Sequence, residues 1–270
     1  MSALALLLIA VGLSDSIAVR GWSDRHTGRR VGALAGLASV AALALLAGLT
    51  GWGDLALLTI AGLTTGGWVV LAGRADDSDL GQGLALAVLA AGTALSVLLS
   101  GWATPAGGAL GRWLEWTGIE ALAGADPTRV LLLVGLVLAQ LSTGNVIVRL
   151  VLAHTGALNP LGGPQASDRL RGGRLLGPME RVFILGLGLA GQVTAASIVI
   201  AAKGLIRWPE LQRASRDSER LEQAARDTPD ARTNQAATTA SIDQVTEYFL
   251  IGSFVSWLVA LVALVVAHLG

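Results

Sequence analysis

Few residues in this chain could do chemistry, and most of them sit in or beside long apolar runs. Ser142, Asn145 and Arg149 follow one another at i+3 and i+4, so a helix puts them on one face, with Gln140 a turn earlier. In hydrocarbon such a stripe either bonds to neighbouring helices or lines a path for a solute. A second group is charged: Arg174, Glu180 and Arg181 precede an uncharged run over 182–202, Lys203 and Arg207 follow it, and Glu247 with Tyr248 opens the last apolar run. If the ends of 182–202 lie together, these residues converge at one membrane face. There they form either a charge network at the headgroups or a site for an anionic group such as a lipid headgroup or phosphate.

The same run carries "RVFILGLGLAGQV", with G-x-G-x-x-G at Gly186, Gly188 and Gly191. That fingerprint binds a dinucleotide only at a strand-to-helix turn within a parallel sheet. The flanking sequence offers membrane-like runs and a charged linker, and no further βα units. The competing reading puts Gly191 and Gln192 at the bend of a broken membrane helix, in two halves of ten to twelve residues, as at transporter sites. A continuous span of 21 residues is the third reading.

Other chemistries have no support. H-E-x-x-H, G-x-S-x-G and G-x-x-x-x-G-K-[ST] are missing, there is no cysteine, and His26, His154 and His268 are scattered. No cofactor, metal site or enzymatic activity is expected. Zero net charge gives no reason to expect nucleic acid as a partner.

The elements that would position these residues are membrane helices. The chain is 53% hydrophobic and only 14% charged, against roughly 25% charged in an ordinary soluble domain. Runs at 31–53, 55–73, 130–148, 182–202 and 248–267 carry no charge, nor does the apolar part of 80–111, residues 84–102. Met1 to Val19 is broken only by Asp15; without a basic start or small-residue cleavage site it reads as a retained anchor. Asp15, about a turn from that helix's end, is expected to reach water. Trp22, Trp52, Trp102, Trp113, Trp116 and Trp208 fall at or beyond the run ends, where indoles favour headgroups. Gly32 with Gly36, and Gly62 with Gly66, form G-x-x-x-G pairs, which either let helices approach closely or, the simpler reading, arise by chance in so Gly-rich a chain.

Orientation follows from the basic residues, which stay cytoplasmic in short loops. If all seven runs crossed, the nineteen Lys and Arg would divide ten inside to nine outside. If 182–202 enters and leaves on the cytoplasmic side, the division is seventeen to two. The charge rule therefore favours a re-entrant segment. Residues 110–124 read as an interfacial amphipathic helix, 209–227 as a solvated helix, and the Ala/Thr stretch to about residue 240 as disordered.

Three stretches, "GRLLGPMERVFIL", "IVIAAKGLIRWPEL" and "TEYFLIGSFVSWLVAL", resemble the C-terminal half of a family of bacterial multi-pass inner-membrane proteins known as a domain of unknown function. The matching positions are Gly173, Arg174, Gly177, Glu180, Arg181, Ala201, Ala202, Lys203, Arg207, Glu247, Tyr248 and Gly252, with "STGNVIVRLVL" a weaker match. Coverage is roughly residues 142–267. The family opens with a His and an Asp in its first helix, whereas this chain has Asp15 alone, and the linker from Arg207 to Glu247 is longer here. The resemblance implies a membrane protein and supplies no activity.

The expectation is an all-α, polytopic transmembrane helical bundle of six to seven membrane helices, one of them a re-entrant hairpin, in the bacterial inner membrane. Residues 1–128 form an N-terminal four-helix membrane region with an interfacial helix; 129–270 form a C-terminal membrane region with a cytoplasmic arm at 208–245. Two function classes follow: a solute or ion transporter or channel, or a scaffold or regulator docking a soluble cytoplasmic protein through that arm. The lipid bilayer is the partner in either case.

Overall fold

A computed structural model describes residues 1–18, 24–78, 81–122, 124–156, 173–202, 205 and 231–270. The described residues are helical, with no strand among them. The helices are α1 (Ser2–Ala18), α2 (Arg25–Ala47), α3 (Trp52–Ser78), α4 (Gln82–Leu98), α5 (Gly108–Trp116), α6 (Pro127–Leu138), α7 (Gly144–His154), α8 (Gly173–Leu189), α9 (Val193–Ala202) and α10 (Ala231–Leu269). A π-turn at Ala139–Thr143 joins α6 and α7 into one rod of 28 residues. Among the described residues four helices are long and apolar enough to cross a bilayer: His26–Ala47, Trp52–Asp77, Pro127–His154 and Leu250–Leu269. Shorter apolar helices, Ser2–Ala18, Gln82–Leu98 and Val193–Ala202, accompany them.

Helix α1 is the axis of the bundle. From Ala3 to Leu13 it is apolar on every side, and it packs against α2, α3, α4, α6 and the π-turn, burying Leu4, Leu6, Leu7 and Val11 almost completely. Glycines allow this closeness. A Cβ on Gly12 would stand 2.9 Å from that of Leu138, and one on Gly135 would stand 2.9 Å from the Ala5 carbonyl. Gly32 and Gly36 press α2 onto Ser14 and Ala10 in the same way, so this pair is a packing device and not a chance of composition. Gly66 has open space around it. The outward faces are apolar too: Leu34, Leu45, Leu63, Leu98 and Phe254 are each at least 60% exposed. A bundle apolar on both its inside and its outside suits lipid better than water.

The two ends of the bundle differ. At one end Asp54 closes the first turn of α3, accepting from the Gly51 amide (3.0 Å), the Thr104 amide (2.7 Å) and the Thr104 hydroxyl (2.7 Å); the Ser2 hydroxyl donates to the Thr104 carbonyl. The other end is charged. There Arg29 of α2 meets Asp76 (3.3 Å) and Asp77 (2.7 Å) of α3, and Arg149 of α7 meets Asp76 (2.9 Å).

Several expected boundaries move. The helix expected over 110–124 is α5 alone, Gly108–Trp116, with Trp116 exposed and Leu114 buried; a short turn at Glu120–Leu122 follows. The Ala/Thr stretch expected to be disordered is helical from Ala231, because alanine is the best helix former and the turn leads directly into the apolar helix. Helix α10 is consequently 39 residues, about 58 Å long, nearly twice the hydrocarbon thickness of about 30 Å. The helix expected over 209–227, with Trp22 and Trp208, lies outside the described residues.

Helices α8 and α10 run parallel. Arg181 touches Ser256, and seven residues on, Gly188 lies against Leu264. Gly252 packs on Leu152 near the charged end, whereas Gly270 lies against Leu132 and Met1 at the other. Both helices therefore start from the charged end, and the chain returns to that end between Leu189 and Leu250.

Candidate functional site

At the centre of the 28-residue α6–α7 rod the π-turn widens the helix, and Arg181 of α8 fills the gap. Its side chain is buried, 2% exposed. Nε and Nη2 both donate to the Gln140 carbonyl, at 3.1 and 2.8 Å; Nη2 also donates to Asn145 Oδ1 at 2.7 Å, and Nη1 to the Ser256 hydroxyl at 3.2 Å. Every one of these acceptors is neutral. The glycine at 144 makes room, since a Cβ there would stand 2.7 Å from Nε. Gln140 turns its own amide nitrogen to the Val259 carbonyl of α10 (3.4 Å), which leaves its buried Oε1 without a partner.

This placement corrects two expectations. Arg181 does not mark a helix start at a membrane face: α8 begins at Gly173, and Arg181 reaches the middle of the bundle. An uncharged run measures where charges stop, and the helix extends past that point. The face shared by Ser142, Asn145 and Arg149 is also divided. The π-turn takes an extra residue and rotates the register, so the Ser142 hydroxyl reaches the Gly12 carbonyl of α1 (2.7 Å), Asn145 binds Arg181, and Arg149 pairs with Asp76. Ser142 is helix glue; Asn145 is part of the Arg181 site.

Beyond the π-turn lies a second buried group. Asp15, expected to reach water, is only 7% exposed, because α2, α3 and the α6–α7 rod cover the last turn of α1. Its carboxyl oxygens accept from the Trp68 indole nitrogen of α3 at 3.1 and 3.2 Å. The Thr143 hydroxyl lies beside the carboxyl, yet outside hydrogen-bonding geometry, and has no other partner. Sequence reasoning missed Trp68, Thr143 and Ser256. Trp68 left a signal: an indole N–H in the middle of an apolar run needs an acceptor in the same interior, and Asp15 supplies it.

The glycine motif is a helix end. Gly186 and Gly188 lie within α8, and Gly191 (φ +71°) closes it; the Gln192 amide bonds the Leu187 carbonyl (2.8 Å) and the Gly191 amide that of Gly188 (3.1 Å). These two bonds define a Schellman cap. The segment is therefore broken, as the bent-helix reading expects, and the continuous-span and strand readings both fail. The halves are unequal, 17 residues in α8 and the short Val193–Ala202 in α9. Gln192 is exposed, away from the Arg181 site. Glu180 is half-buried; Arg174, Glu247 and Tyr248 take helical positions, and Lys203 and Arg207 lie outside the described residues. The expected convergence of all these charges thus rests on positions beyond the described ones, and Arg181 does not join it.

No group of three or more metal-ligating side chains occurs among the described residues. No family model, curated protein or solved structure matches the chain.

Proposed function

We propose that this chain is a multi-pass transporter or channel for a small solute or ion, with its path beside Arg181. The carrying observation is a guanidinium at the centre of an apolar bundle that meets only neutral oxygens. An ionisable group at that depth is costly, so it is a site by default, and π-turns recur at functional sites. In the topology proposed here six helices cross, α8 and α9 form a hairpin open to the cytoplasm, and both termini lie outside a bacterial inner membrane. Support comes from the parallel course of α8 and α10 and from the arginine-rich end shared by α2, α3 and α7. The α9 helix, about 15 Å long, returns through about half of the hydrocarbon.

The test is osmotic flux in proteoliposomes against a panel of inorganic salts, small organic anions and neutral solutes. Protein-dependent permeation of at least one solute is expected, reduced at least about tenfold in Arg181→Gln. No protein-dependent flux for any of them would refute the reading.

A second reading, docking of a soluble cytoplasmic protein, rests on the length of α10, which projects well past its apolar part Leu250–Leu269. Deleting residues 208–245 separates the two: a transporter keeps its flux, and a docking protein loses its partner.

A further inference from the structure

We infer that Asp15 is a reversible proton-binding site inside the bundle. The site itself stands on geometry alone; its use to drive solute movement rests on the transport reading above.

Two other carboxylates of the described bundle, Asp54 and Asp76, have their charge answered. Asp54 takes two backbone amides and a hydroxyl, and Arg29, Asp76 and Arg149 pair with one another. Asp15 takes one neutral indole donor, and among the described residues no cation stands within ion-pair distance of it. What surrounds it suits two states. The indole N–H can only donate, and it serves a carboxylate oxygen or the carbonyl oxygen of the neutral acid equally. A hydroxyl both donates and accepts. Thr143 Oγ1, buried and unpaired, can donate to the carboxylate or accept the O–H of the acid with only a small shift. Uptake of one proton from water on the ionised carboxyl gives the neutral acid, with no other reactant.

The charged groups around Asp15 come from three helices. Arg149 of α7 pairs with Asp76 of α3; Arg29 of α2 is held by Asp76 and Asp77. No ionisable residue lies in α4 or in the π-turn. Arg149 and Asp77 are 47% and 43% exposed at the end of the bundle to which Asp15 is nearest. Thr143 lies in the same π-turn as Gln140, whose carbonyl holds Arg181. Proton uptake at Asp15 therefore acts on the turn that fixes the guanidinium.

The test is pH-difference infrared spectroscopy of the full chain in nanodiscs. From mildly alkaline to mildly acidic pH the wild type should gain a protonated-carboxyl C=O band that shifts in D2O and is missing in Asp15→Asn. Thr143→Val should move that band to the frequency of an acid without an acceptor, and Asp15→Glu should keep a band at a displaced midpoint, which controls for misfolding. Identical wild-type and Asp15→Asn difference spectra would overturn the proposal, as would a band that responds to Na⁺ at fixed pH instead of to pH. A titrating band with no flux for any solute would sink the transport reading and leave the site standing; flux without the band would do the reverse.

Discussion

Arg181 and Gly144 share one volume, and that sharing can be measured. A methyl at position 144 would stand 2.7 Å from Nε and 2.9 Å from Cζ, with the guanidinium held on its other sides by Gln140, Asn145 and Ser256. Gly144→Ala should therefore cost about 1–3 kcal/mol, the usual penalty for overpacking a filled interior. In an Arg181→Ala background the same methyl has room and should cost much less. Reversible unfolding of the four proteins in detergent measures the coupling, and additive losses would refute the shared volume. The sequence made Arg181 visible as a charge beside an apolar run, but not its depth, because depth depends on where α8 starts. Asp15 was hidden for the same reason: its distance from a helix end was legible, whereas the neighbours covering that end come from residues far along the chain.

Helices themselves were largely legible, since uncharged length and glycine placement are local signals; what turns within them was not. The break at Gly191 follows from a glycine that takes φ +71°, a conformation costing other residues roughly 1–2 kcal/mol. Gly191→Ala should destabilise the protein by that amount, measured by the same unfolding experiment. Gly186 lies within α8 with nothing near its missing Cβ, so Gly186→Ala should be neutral or stabilise by about 0.5–1 kcal/mol. A phosphate-binding loop would demand glycine at both positions. The π-turn had no such marker: "AQLSTG" reads as ordinary helix, and only the fit of Arg181 against Gln140 shows why one extra residue is accommodated there. At the start of α2 the Asp24 carboxyl accepts from the His26 and Thr27 amides, and these bonds hold it below the usual carboxylate range. A depressed folded-state value means that its support is present above the ordinary carboxylate range and fades as pH falls through the lowered one. Hydrogen-exchange protection at the Thr27 amide should decline over that acidic interval in the wild type, while Asp24→Ala should show no such dependence.

Across the whole molecule, the choice between crossing and returning at α8–α9 decides where every later residue lies. The distribution of arginines and the parallel contacts Arg181–Ser256 and Gly188–Leu264 both support the hairpin proposed above. Two parallel neighbours that start from one end require the chain between them to come back. The absence of cysteine makes this testable with single substitutions. Trp52 is 88% exposed at the end opposite the arginines, and His154 closes α7 at the arginine end. With an impermeant thiol reagent on intact cells, Trp52→Cys should label, whereas His154→Cys and Gln235→Cys should label only after permeabilisation. Gln235 is the informative position, because α10 carries it about 20 Å beyond Leu250. If α8–α9 crossed, that arm would stand outside and label at once, and the hairpin and the arginine asymmetry would lose their common basis.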